Sequence, residues 1–83
     1  MIQGYAADLA AQMGMKISRV SVVEGQRVGC LDVHLLNIYA DRQLVSALVY
    51  QSELDELHNG SSCERLEMKI RSALSRLQTL LAP

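Results

Sequence analysis

Cys30, His34, His58 and Cys63 bring two thiols and two imidazoles into one short chain. That is the ligand set of a structural zinc site. Their spacing argues against it. Residues 28–39 read as a strand, and four strand residues separate Cys30 from His34 by about 13 Å. Ligands must lie within roughly 2.3 Å of a shared zinc. The intervals C-x3-H and H-x4-C also depart from the usual finger patterns. We therefore expect no metal and no cofactor, with Cys30 a core thiol and the histidines ordinary surface or edge residues.

Other groups suggest catalysis only weakly. Cys63 falls at the first turn of an expected helix, where the dipole lowers a thiol pKa. Glu64 adjoins it, and helical spacing puts it beside Leu66 and Ile70, which reads as a buried, inert thiol. Asp32 and His34 share one face of the expected strand, about 7 Å apart. With Tyr39 or Asp41 they would make an acid–base pair. No nucleophile motif, phosphate-binding glycine loop or paired acids accompany them. The expectation is a solvent-facing sheet surface, and not an enzyme.

The charged residues give two further candidates. At 100° per residue, Arg65, Lys69, Ser72 and Arg76 fall within about a 60° sector of a helix, a stripe able to lie against phosphates. Residues 61–83 carry a net charge of +2, residues 1–60 a net −3, and the whole chain −1. So small an overall charge does not steer a molecule to nucleic acid or to an anionic membrane. The second candidate is acidic: Glu53, Asp55 and Glu56, together with the sheet face bearing Asp32 and His34, form a candidate protein-binding surface.

The elements that must position these groups follow from periodicity. Residues 2–13 place Ile2, Tyr5, Ala6, Leu9, Ala10 and Met13 on one helical face, with Gly14 at the left-handed C-cap position. Residues 16–23, 28–39 and 44–51 read as strands joined by turns at 24–27 and 40–43. The apolar phase shifts between Ile17 and Val20, marking a bulge or the true strand start. It flips again near 35–36, through a bulge or through burial of both faces. "SELDEL" at 52–57 reads as a short helical turn capped by Ser52, and Ser61 with Glu64 fits a capping box for a long helix over 62–81. Its apolar stripe is Leu66, Ile70, Ala73, Leu74, Leu77 and Leu81. The expectation is a single α+β domain, 1–83. A three-stranded antiparallel meander carries an N-terminal and a long C-terminal helix on one face, making two layers.

That helix–strand–strand–strand–helix order resembles the double-stranded-RNA-binding domain in topology. The residues that would carry its function differ: the first hairpin turn reads "EGQR" and the last helix opens on "SSCER", without the family's lysine cluster.

Hydrophobic residues make up 49% of the 83, with no Trp and no Phe, so the core must be aliphatic. Chains this small often complete their burial by self-association. Met68 lies on the polar side of the long helix, and the strands carry apolar residues in both phases. Part of the second sheet face should then be covered by another copy or another protein. No secretory leader or membrane span is apparent, and two cysteines fit a reducing cytoplasm. The expected function is a small protein-binding regulator, adaptor or inhibitor, of the kind a phage or mobile element encodes, working as a homodimer. The alternative is nucleic-acid binding through Arg65, Lys69 and Arg76.

Overall fold

The computed structural model describes residues 2–25, 29, 32–60 and 63–81. The chain folds as α1 (Ile2–Gln12), β1 (Arg19–Val23), β2 (Val33–Ala40), β3 (Gln43–Tyr50), α2 (Gln51–His58) and α3 (Glu64–Leu81). This is the expected α+β arrangement: an N-terminal helix, a three-stranded antiparallel meander in the order β1-β2-β3, and C-terminal helices packed against the sheet. Among the described residues no helix is long and apolar enough to cross a membrane.

Alanine-rich α1 turns Ile2, Ala6, Leu9 and Ala10 inward, and the two buried alanines let the helix sit close to α3 and β1. It stops where the sequence says it should. Gly14 adopts φ +71°, the Gly14 amide donates to the Ala11 carbonyl at 3.0 Å and the Met15 amide donates to the Ala10 carbonyl at 2.9 Å. These are the two bonds of a left-handed helix C-cap, a geometry glycine adopts without strain.

The sheet register is unbroken. Val20 pairs with Ile38 and Val22 with Leu36; Ile38 in turn pairs with Val45, and Leu36 with Ala47. β1 begins at Arg19, so the phase shift after Ile17 marks the strand start. No bulge interrupts β2: the flip near 35–36 arises because the central strand is shielded on both sides. Leu36, Ile38 and Ala40 are buried toward the helices, while Leu35 is half-buried and Asn37 buried on the opposite face. Asp41 makes the β2–β3 turn at φ +53°, a conformation acidic and amide residues accept more readily than most.

α3 supplies Leu66, Ile70, Ala73, Leu74 and Leu77 to the core, each fully buried, and Leu81 lies half-buried at its end. The apolar stripe thus faces the chain's own sheet and α1. α2 is a two-turn helix, longer than the expected turn. Its cap is not Ser52: the Glu53 carboxylate reaches back to accept the Tyr50 amide at 2.8 Å. Gln26, Cys30 and Ser61, on which the first turn, the core thiol and the capping box of the long helix were expected to rest, lie outside the described residues, as do Arg27, Val28, Leu31 and Ser62.

Candidate functional site

The helices cover one face of the sheet and leave the other open. Odd-numbered residues of β3, Val45 and Val49, point into the core, and even-numbered ones, Leu44, Leu48 and Tyr50, are exposed. Cross-strand pairing carries this through the sheet. Val23, Leu35 and Leu48 form one apolar row, with Val33 and Tyr50 paired beside it. A polar row follows, Ser21–Asn37–Ser46, in which the Ser46 hydroxyl donates to Asn37 Oδ1 at 2.6 Å. Beyond it the Arg19 guanidinium lies 4.5 Å over the Tyr39 ring. The open face is therefore apolar at one end and mixed at the other, where exposed Leu44 pairs with Tyr39.

Where β3 forms the sheet edge, a groove of about 600 Å³ runs between it and the flank of α3. Leu48 and Met68 give it an apolar centre; Arg65, Lys69, Ser72 and Arg76 line its length. Leu48 is 59% exposed and Met68 71%. The stripe expected from helical spacing is thus real, and it faces a strand edge. Two of its cations are already engaged. Lys69 Nζ lies 2.8 Å from Glu53 Oε1 and 4.3 Å from the centre of the Tyr50 ring. Arg76 Nη2 donates to the Ser46 carbonyl at 3.1 Å. Among the described residues Arg65 has no ion-pair partner.

The acidic and imidazole candidates are placed differently from expectation. His34 is not on a solvent face with Asp32. It is 3% exposed, on the helix-covered side of β2. Its Nδ1 accepts the Gly25 amide at 3.1 Å and its Nε2 lies 2.6 Å from Gln51 Oε1. Gln51 passes the chain on, donating to Asp55 Oδ1 at 3.0 Å. With Nδ1 accepting, the neutral Nε2–H form satisfies every partner, which is how a polar ring is buried without penalty. Asp32 precedes β2, exposed, with its carbonyl accepting the Gln51 amide at 2.8 Å. Tyr39 and His34 lie on opposite faces, so no acid–base pair forms from them.

Glu53 is likewise not a surface acid. It is 2% exposed, held by Lys69 and the Tyr50 amide, and its Oε2 meets no hydrogen-bond partner among the described residues. The acidic patch reduces to Asp55 and Glu56, both exposed on α2. Cys63 is half-buried against the core, and His58 is exposed at the end of α2. Among the described residues no three His, Cys, Asp or Glu side chains converge as a metal site would require.

Sequence reasoning missed the groove's second wall. The signal was present: Leu48 and Tyr50 share parity on the last strand, and Met68 shares a helix flank with Arg65, Ser72 and Arg76. No family model, curated protein or solved structure matches this chain.

Proposed function

We propose that this chain is a small, non-catalytic protein-binding module that acts by occupying the surface of another protein, and that it does so as a homodimer. The observation that supports this is the uncovered sheet face. Val23, Leu35 and Leu48 make a continuous apolar row across all three strands, with Val33 and Tyr50 alongside. Such a patch on so small a body signals an interface. A second copy laid on the same row would bury it in both. Nucleic-acid binding is the weaker reading, because Lys69 is neutralised by Glu53 and the whole chain carries a net charge of −1.

Light scattering on the eluting protein, over a range of concentrations, tests the reading. The wild type should show twice the 9.2 kDa mass of one chain. Val23→Glu with Leu48→Glu, both at exposed positions, should show the single-chain mass with an unchanged helical spectrum. Capture of the tagged chain from native extract after nuclease treatment should retain a protein. A single-chain mass throughout, with no protein retained, overturns the reading.

A further inference from the structure

We propose that the groove between β3 and α3 takes an extended, acidic segment of another protein, which adds to the sheet as a fourth strand beside β3. This rests on the protein-binding reading and names the site and chemistry of the partner. Three hydrogen bonds fix which way the edge points. The Gln51 amide donates inward to the Asp32 carbonyl, whereas the Tyr50 amide and the Ser46 carbonyl are both engaged from outside the sheet, by Glu53 and Arg76. In an antiparallel pair the inward and outward backbone groups alternate. The amide and carbonyl of Leu48, midway between Ser46 and Tyr50, therefore point out into the groove. Ser46 to Tyr50 spans about 13 Å, enough edge to hold a short strand.

The floor beneath that edge is supplied by α3, whose flank projects past β3 and presents Met68 and Ser72 between Arg65 and Arg76. A strand laid there meets backbone on one side and this flank below. Its alternate side chains would touch Met68 or the two guanidinium groups. Among the described residues no acid lines the groove; Glu53 is spent on Lys69, and Asp32 shares only the neighbouring cavity with Arg65. Arg65 and Arg76 are then the excess charges the occupant must answer. Arg76 can exchange the Ser46 carbonyl for a carboxylate, a stronger, charge-assisted partner. A second copy of this chain paired edge to edge would bring its own Arg65 and Arg76 against these, so like charges disfavour it here. Two copies joined through the open sheet face would share the Leu48 and Tyr50 side chains with this groove but would leave the outward backbone groups of the β3 edge unpaired.

The test uses a displayed library of random segments of about nine residues, longer than the exposed edge, selected on the whole immobilised chain. Enriched segments should alternate apolar and acidic residues. Made as fluorescent peptides, they should bind about tenfold or more weakly to the Arg65→Glu, Arg76→Glu chain, and lysine-for-glutamate peptides should regain binding to that chain. N-methylation of one alternate set of peptide amides should abolish binding while methylation of the other set leaves it, the signature of a strand edge. Enriched segments without acids, or indifference to which amide set is methylated, overturns the proposal. So does enrichment of nothing while a fluorescent oligothymidylate binds. None of these outcomes alters the light-scattering result, so the groove can fail while the dimer and the protein-binding reading stand.

Discussion

β3 carries two sets of aliphatic side chains that differ only in parity. Val49 is 1% exposed and Leu48, its neighbour in the chain, is 59% exposed. The first set meets α3 and the second lies on the face that no helix covers. Hydrophobicity along the strand is the same for both, so what separates them is which face the helices reach. Two helices cover one face of a three-stranded sheet, and the apolar residues of the other are left for a partner. The covered face explains the stability of the chain, and the open face is where we place its function.

The sharpest way to break this contrast is a matched pair of truncations. Leu36→Ala, at a fully buried position on the covered face, should cost about 2–5 kcal/mol, a loss large enough to leave a domain this small mostly unfolded. Leu48→Ala should change the unfolding free energy of the single chain by no more than about 0.5 kcal/mol. Urea unfolding at low protein concentration, where dimer does not contribute, measures both. Equal costs would mean that the open face is packed within one chain, and the argument for a partner would fail.

The edge of the covered side gives the next effect. Lys69→Ala leaves the Glu53 carboxylate buried without its cation. Lys69 is partly exposed, so the cost should be about 2 kcal/mol, below that of breaking a fully buried pair. Adding Glu53→Gln should recover most of it, because the amide oxygen still accepts the Tyr50 amide and no charge is left behind. If the double variant is as unstable as Lys69→Ala, the pair is not what holds α2 against α3. A smaller loss, about 1–2 kcal/mol, is expected for His34→Leu, which strands the Gly25 amide and Gln51 Oε1. A negligible loss would mean that water replaces the imidazole and that the site is wetter than the covered face requires.

The helices and the three strands were legible because their periodicities are clean and their breaks fall at Gly14 and at the Asp41 turn. Parity was harder to read. On β2 the residues Val33 and Leu35 alternate with Asp32 and His34 in the way a core face alternates with solvent, yet the covered set is His34, Leu36, Ile38 and Ala40. A histidine with both nitrogens satisfied can take a core position, and one apolar open face mimics a core face. Glu53 misled for a related reason. Its place among Asp55 and Glu56 reads as an acidic surface, but at the third position of α2 it turns back to the Tyr50 amide and into reach of Lys69, sixteen residues on. That contact depends on how α3 folds over β3, which local spacing does not encode. The cationic stripe was legible as a stripe; that a strand edge forms its other wall was not.

The seam between α1 and α3 lies on the covered side too, and there the expected effect is the smallest and depends on pH. Tyr5 is half-buried, and its phenol is held above its ordinary value of 10.0, first by burial, then by the negative charges of Glu67 and Cys63, with Arg71 opposing. The folded chain keeps this proton more tightly than the unfolded chain does. The resulting stability is fully present below pH 10 and is lost as the pH rises through the folded-state pKa. Tyr5→Phe removes that dependence, so the difference in melting temperature between wild type and variant should drift in the variant's favour above pH 10 and stay constant below it. Glu67→Gln should shrink the drift by removing one of the repelling charges. Arg71→Gln should enlarge it, since Arg71, which also donates to Gln12 Oε1 at 2.7 Å across the seam, is the cation that favours the phenolate. A drift that ignores both changes would mean that burial, with Cys63, sets the Tyr5 proton, and that Glu67 and Arg71 lie too far into solvent to be felt at the seam.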